Sequence, residues 1–155
     1  MADELSGKRV LIVEDDSLLH GLLVKNLSIL TAKGMVIDAA VDGSDALQKA
    51  QAAHPDLIIL DLVLPTMSGF EFLEKARQEK GLEKTPVLLL TNLNTDADRE
   101  RARSLGVLAY LVKADFSLSE IAATVEDFLL GKQAHIPTAR EPKVEWSSNK
   151  FVVHL

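Results

Sequence analysis

The sequence predicts an α/β fold in which a sheet of five parallel strands is covered by helices on both faces. Short, almost wholly apolar segments alternate with longer segments whose apolar residues recur at helical spacing. Strands that are apolar along their whole length are typical of a sheet buried on both faces, and such sheets are usually parallel. The alternation also implies right-handed crossover connections in an open sheet.

Five apolar segments are the predicted strands: residues 10–13, 35–41, 57–60, 86–90 and 107–112. Four of them are nearly continuous and too short to be helices. The second is interrupted by Asp38, so we expect it to be an edge strand.

Five helices are predicted between and after these strands. The first carries an apolar stripe, composed of Leu18, Leu19, Leu22, Leu23, Leu27 and Leu30. Start signals precede the second helix at residues 42–44 and the third at residues 68–69. The fourth, residues 96–104, is almost entirely polar and is expected to be solvated and weakly anchored. The fifth covers residues 116–130 and ends at Gly131.

The composition changes after Gly131. We predict a domain of residues 1–131 and a C-terminal extension of residues 132–155. Pro137 and Pro142 interrupt any helix there, and the segments KVEW and KFVVHL resemble two strands of a hairpin around a polar turn. Because an isolated hairpin is marginal in water, the extension docks on the domain, pairs with another chain or is disordered.

Charge and composition exclude several classes of function. The net charge of −6 disfavours nonspecific binding to nucleic acid or to an anionic membrane. The absence of cysteine excludes disulfides, thiolate metal sites and cysteine nucleophiles, and it is compatible with a reducing compartment. The N-terminus lacks the apolar core of a signal peptide, and no apolar run approaches the ~20 residues of a membrane span. We therefore predict a cytoplasmic protein that binds neither nucleic acid nor membrane.

Carboxylates follow two predicted strands at the edge of the sheet where open α/β folds bind ligands. Glu14, Asp15 and Asp16 come directly after the first strand, and Asp61 follows the third. Clustered carboxylates become tolerable when a hard divalent cation lies among them, and oxygen-only ligands favour Mg²⁺ or Mn²⁺. A carboxylate can also be a nucleophile that forms an aspartyl phosphate. Asp61, alone at its strand end, is the candidate.

A hydroxyl and an ammonium group complete this edge. Thr91 follows the fourth strand and Lys113 the fifth, a set that suits a phosphoryl group with charge spread over its oxygens. Each residue alone has an ordinary explanation, since acids after strands often cap helices, as Asp16 or Ser17 is expected to do. The joint pattern at four strand ends favours the phosphoryl site.

Four segments resemble the receiver domain of bacterial two-component response regulators, over roughly residues 8–130. VLIVEDD carries the family's acidic pair, and PDLIILDLVLPTMSGFEFLEKAR places Pro65 four residues after Asp61 and Gly69 four further on. PVLLLT and AYLVK supply its hydroxyl, aromatic and lysine positions. The resemblance implies a flavodoxin-like, doubly wound, five-stranded parallel sheet with strand order 2-1-3-4-5, followed by the C-terminal tail.

The resemblance also implies a role for each matching residue. Asp61 would accept a phosphoryl group from a histidine kinase or a histidine phosphotransfer protein. Glu14 and Asp15, together with Asp61 and the backbone carbonyl of Val63, would hold Mg²⁺, with Mn²⁺ as an alternative.

Three further residues would stabilise the phosphoryl group and transmit its presence. Lys113 would pair with its oxygens, Thr91 would move to hydrogen-bond them, and Tyr110 would rotate inward behind Thr91.

Ala114 departs from the family, which usually has a cis proline after the lysine. Because a non-proline cis bond costs about 2.5–4 kcal/mol, we predict a trans bond and a rearranged loop. Val63 has no polar side chain to orient an attacking water, so we expect a long-lived phosphorylated state.

The predicted function is that of a stand-alone receiver that switches protein–protein contacts with an unnamed downstream protein. Homodimer formation and service in a phosphorelay are further forms of output. The alternative is a degenerate receiver that acts as a phosphorylation-independent binding module, which the altered loop after Lys113 keeps open. A phosphatase of the haloacid-dehalogenase type is disfavoured because Val63 stands where the second acid of an Asp-x-Asp motif would lie. The chain is thus expected to catalyse only its own phosphorylation and dephosphorylation.

Overall fold

The computed structural model describes residues 4–131 and the backbone of two further strands, residues 143–147 and 150–154. The strands of the main sheet are β1 Arg9–Val13, β2 Val36–Ala40, β3 Leu57–Leu60, β4 Val87–Thr91 and β5 Ala109–Val112. The helices are α1 Ser17–Asn26, α2 Ser28–Thr31, α3 Gly43–Ala53, α4 Gly69–Gln78, α5 Asp96–Ser104 and α6 Leu118–Leu129. The last two strands are β6 Lys143–Ser147 and β7 Lys150–His154.

The five strands of the main sheet are all parallel and lie in the order β2-β1-β3-β4-β5. The predicted flavodoxin-like fold and strand order are therefore confirmed. Side chains alternate between two cores, so that Val10 and Ile12 of β1 enter one and Leu11 and Val13 enter the other. Helices cover both faces, which explains why β3 and β4 are apolar throughout.

Polar side chains cap the starts of five of the six described α-helices, and α2 has no side-chain cap. Asp16 caps α1 by accepting from the amides of Leu18 and Leu19. Asp42 caps α3 and Ser68 caps α4, as the start signals predict. The last helix begins at Leu118, two residues later than expected. Ser117 forms a capping box with Glu120 there, and the preceding Phe116 is extended and buried in the core.

The first predicted helix differs from the expectation in two ways. The structure breaks it near Leu27 into α1 and α2, which makes six α-helices instead of five in the described part of the chain. The six-leucine stripe does not face the core as a whole, because Leu18 is 72% exposed and Leu22 is 39% exposed. These two lie roughly 140° around the helix from the row that contains Leu23 and Leu27, and only that row reaches the sheet.

The C-terminal strands form a separate antiparallel pair. Lys143 pairs with His154 and Ser147 with Lys150, which defines a hairpin of β6 and β7. Cα atoms of β7 lie within 8 Å of Cα atoms of β5. The predicted effects of Pro137 and Pro142 and the polar turn fall outside the described residues. The division into a domain and an extension stays a prediction.

Among the described helices, none combines the length and the apolar character needed to cross a bilayer.

Candidate functional site

The carboxyl ends of β1 and β3 bring three carboxylates together. Glu14, Asp15 and Asp61 each offer an oxygen, and these oxygens all lie within 4.8 Å of one another. The ladder between the strands continues into the site, because the Asp61 amide donates to the carbonyl of Val13 at 3.1 Å. Three hard oxygen donors in this space fit the predicted Mg²⁺ or Mn²⁺.

Lys113 joins two of these carboxylates. Its Nζ lies 2.8 Å from Glu14 Oε1 and 2.8 Å from Asp61 Oδ2. Because β4 separates β5 from β3, the lysine side chain reaches across the end of β4 to make these contacts. Glu14 is 3% exposed and Asp61 6% exposed, so the ammonium group compensates charges that water cannot solvate.

Burial and charge pull the protonation of this group in opposite directions. Burial raises the pKa of the Glu14 carboxyl, although hydrogen bonds from Lys113 and from the Asp16 amide oppose the shift. Burial also works to lower the pKa of the Lys113 ammonium, but its hydrogen bonds to Asp61 and Glu14 outweigh burial and raise it. Lys113 therefore stays charged at neutral pH.

Backbone amides orient the two buried carboxylates. The Val63 amide donates to Asp61 Oδ1 at 3.2 Å, and the Asp16 amide donates to Glu14 Oε2 at 3.2 Å. The sequence carries no signal for these two donors, because a backbone amide is common to all residues except proline. Asp16 is thus a helix cap whose own amide supports the site. The carbonyl of Val63 as a metal ligand stays a prediction.

Gly69 lies against the backbone of Asp61 and Leu62. A Cβ at this position would stand 2.5 Å from the carbonyl oxygen of Asp61 and 2.6 Å from the Cα of Leu62. The Gly69 amide donates to the carbonyl of Leu62 at 2.9 Å, which closes the turn after β3. The glycine that follows Asp61 by eight residues is therefore required by close backbone approach.

Thr91 and Tyr110 are joined through the loop after β4. Both are fully buried. The Leu93 amide donates to Thr91 Oγ1 at 3.3 Å, and the Tyr110 hydroxyl donates to the carbonyl of Leu93. Burial raises the pKa of Tyr110 to about 12, so its hydroxyl is a donor at neutral pH. The ring already lies inward here, and its movement on phosphorylation stays a prediction.

The loop after Lys113 follows the expectation drawn from Ala114. No peptide bond in the described residues is cis, so the Lys113–Ala114 bond is trans as predicted. The residues Lys113–Asp115 form one turn of 3₁₀-helix instead.

Comparisons with known proteins agree with this geometry. The family model "Response regulator receiver domain" matches residues 10–126. The alkaline phosphatase synthesis transcriptional regulatory protein PhoP of Bacillus subtilis is 34% identical over 133 residues, covering 86% of this chain and 53% of that protein. The chain thus spans about half the length of the curated relatives it matches.

Two solved structures are similar over almost their whole length. The Mn²⁺-bound form of response regulator Rcp1 is 29% identical, with a TM-score of 0.71, over 84% of this chain and 99% of that one. The phosphorylated cyanobacterial phytochrome response regulator RcpA is 28% identical, with a TM-score of 0.69, over 79% and 94% of the two chains.

Proposed function

Because this chain belongs to the response regulator receiver domain family, we propose that Asp61 accepts a phosphoryl group and that its phosphorylation switches protein–protein contacts. The donor is a histidine kinase or a histidine phosphotransfer protein. The observation that carries the proposal is the position of Lys113 Nζ, 2.8 Å from Asp61 and 2.8 Å from Glu14, within a cluster of three carboxylates. A buried ammonium group between carboxylates is weak evidence for a purely structural role, because well-packed apolar residues of similar volume are often at least as stabilising.

The chemistry follows from the partners of Asp61. A carboxylate oxygen of Asp61 attacks phosphorus, the phosphorus–nitrogen bond of the phosphohistidine breaks, and its electron pair stays on the imidazole. Lys113 then pairs with a phosphoryl oxygen, and the hydroxyl of Thr91 donates to another. Glu14, Asp15, Asp61 and the Val63 carbonyl would hold Mg²⁺ or Mn²⁺, and the ion would neutralise charge on the phosphoryl oxygens.

The switch acts through the chain of contacts from Thr91 to Tyr110. Displacement of Thr91 towards a phosphoryl group moves its contact with Leu93, and Leu93 in turn contacts the Tyr110 hydroxyl. Added charge at one end thus biases the packing of β5 at the other. We propose that this cytoplasmic receiver domain uses the shift to change its contact with a downstream protein, with a homodimer or a phosphorelay as further outputs.

The experiment is intact mass spectrometry after incubation with acetyl phosphate, with and without Mg²⁺. We expect one phosphoryl adduct on the wild type, strongly dependent on Mg²⁺, and none on Asp61→Asn. Asp56→Asn is the matched control, because Asp56 lies before β3 at the opposite end of that strand. A folded wild type without an adduct would support the degenerate binding module instead.

The same reaction tests the remaining expectations about turnover. With Val63 at this position, we expect the adduct to persist for many minutes at room temperature. A half-life of seconds would contradict this. We expect no turnover of p-nitrophenyl phosphate, and sustained turnover would identify a phosphatase.

A further inference from the structure

The two edge strands of the main sheet differ in exposure. β2 leaves Val36 40% exposed and its three middle residues half-buried. β5, at the other edge, is buried at all four positions, and Val112 is the most exposed at 5%. Helices cover the faces of a strand, but they leave its outer edge open. An edge strand buried this completely needs a cover along that side.

The C-terminal hairpin lies where this cover is needed. Cα atoms of β7 come within 8 Å of those of β5. The ladder partner of β7 is β6, and the two form a sheet of their own, separate from the five-stranded sheet. Because an isolated hairpin is marginal in water, this one depends on its contact with the domain. Because no ladder joins it to β5, the contact can be released without breaking the sheet.

The register of β5 identifies the groups that face this hairpin. The Leu108 amide donates to the carbonyl of Val87 in β4. In a parallel ladder alternate residues bond to the same neighbour, so Tyr110 and Val112 also face β4. The backbone groups of Ala109 and Leu111 therefore face the outer edge, at positions that are 0% exposed.

The covered strand is also the strand that the phosphorylation site reaches. Tyr110, between Ala109 and Leu111, donates its hydroxyl to the carbonyl of Leu93, whose amide donates to Thr91 Oγ1. The hairpin docks on the strand that carries Tyr110, so a rearrangement of this chain of contacts changes the surface on which it docks. Coupling between two sites is reciprocal, so the state of the hairpin must also bias the site.

We propose that the hairpin of β6 and β7 is an intramolecular cover for the outer edge of β5, and that phosphorylation of Asp61 weakens its docking. The second half rests on the proposed function, whereas the first half does not. Release of the hairpin exposes the backbone groups of Ala109 and Leu111, which a downstream protein can then contact.

Amide hydrogen exchange measured by NMR on the full chain tests the cover. The variant Val152→Pro removes a residue that pairs with Glu145 and so disrupts the hairpin. We expect exchange at Ala109 and Leu111 to rise at least tenfold, with Tyr110, Val112 and the amides of β1 unchanged. Ala134→Pro, a matched control outside both strands, should exchange like the wild type.

Unchanged exchange at Ala109 and Leu111 in Val152→Pro would overturn the cover. So would protection that weakens on dilution of the wild type, because the hairpin would then come from a second copy of the chain.

A second arm tests the coupling with fluoroberyllate and Mg²⁺, which mimic a bound phosphoryl group. We expect faster exchange at Ala109 and Leu111 in the wild type and no change in Asp61→Asn. Unchanged exchange in a wild type that mass spectrometry shows to be phosphorylated would overturn the coupling. Two results together would refute the proposed function but support the cover: the wild type forms no phosphoryl adduct, and Val152→Pro still accelerates exchange at Ala109 and Leu111.

Discussion

Two partly buried cations lie at opposite ends of the sheet and have different kinds of partner. Lys113, at the carboxyl end, contacts the carboxylates of Glu14 and Asp61. Arg77 of α4, at the amino end, donates to four backbone carbonyls in the loops before β4 and β5. Their distances are 2.8 Å for Leu105, 2.8 Å for Thr85, 3.2 Å for Leu82 and 3.3 Å for Gly106.

The difference in partners separates a structural role from a functional one. Carboxylates raise the pKa of Lys113, whereas burial lowers the pKa of Arg77, whose hydrogen bonds go to neutral carbonyls. The partners of Arg77 are backbone carbonyls, which do not bind a competing metal ion or phosphoryl group here, so Arg77 connects α4 to the two loops as a fixed structural contact. Carboxylates can exchange one cation for another. The contacts of Lys113 with Glu14 and Asp61 can therefore be replaced when a metal ion binds the carboxylates or when Lys113 pairs with a phosphoryl group. An exchangeable partner is what a switch requires.

The largest effect is expected when the permanent partner is removed. Arg77→Met leaves four carbonyls without their donor, and we expect a loss of about 3 kcal/mol in the free energy of unfolding, because water enters from the adjoining open cavity and compensates in part. Urea denaturation measures it. Lys75→Met, an exposed position on the same helix, is the control. A loss in the free energy of unfolding below about 1 kcal/mol would contradict the structural role of Arg77.

Lys113→Met should have a smaller effect that depends on conditions. It leaves two buried carboxylates without a cation. Breaking a buried ion pair usually costs about 3–5 kcal/mol, but the Lys113 side chain is 19% exposed, so water reaches the site and we expect a cost of about 2 kcal/mol at pH 7 in the absence of divalent metal. The pKa of Glu14, already raised, rises further, so the folded state binds the extra proton and the loss shrinks as pH falls. Added Mg²⁺ should also restore stability. The stability loss in Arg77→Met should depend neither on pH nor on Mg²⁺. If both variants responded equally to pH and Mg²⁺, the proposed difference between Arg77 and Lys113 would be wrong.

Metal affinity should depend on pH through Glu14. Metal binding requires the ionised carboxylate, and burial raises its pKa above the usual 4.5. Affinity for Mn²⁺ should therefore begin to fall at a higher pH than an ordinary glutamate would give, by up to about tenfold per pH unit. Calorimetric titrations between pH 5 and 8 measure it. Glu14→Gln should bind Mn²⁺ more weakly, but its affinity should change less with pH. A wild-type affinity that changes as little with pH as that of Glu14→Gln would contradict the prediction.

The smallest effect concerns backbone strain at the two ends of the sheet. Thr66, in the loop after Asp61, has a φ of 62°, which a β-branched residue rarely adopts. Thr66→Asn should stabilise the protein by about 0.5–1 kcal/mol in thermal unfolding. His54, at the amino end, has a φ of 47°, but its ring lies where a Cβ at Gly81 would come within 2.9 Å, so His54→Asn loses this packing and should gain less. A larger gain in stability from His54→Asn than from Thr66→Asn would show that the greater backbone strain lies at the amino end of the sheet.

Local patterns in the sequence succeeded where one segment determines its own structure. The strand at 57–60 has the predicted bounds, and Asp42 and Ser68 begin helices where their side chains can cap them. The pattern failed for Leu18, because six leucines in 13 residues span more than one face and only packing against the sheet selects among them. The start of α6 was misplaced since Phe116 is apolar, which suits a helix and an extended core residue equally.

By itself, the sequence determined the alternation of strands and helices and the polar residues at the ends of β1, β3, β4 and β5, because both depend on residue identity and spacing. The tertiary structure alone decided that Lys113 crosses β4 to contact Glu14 and Asp61. It also decided that Arg77 holds two loops and that β7 lies beside β5. These contacts join distant segments, and several use main-chain atoms that every residue shares, so no local pattern can encode them.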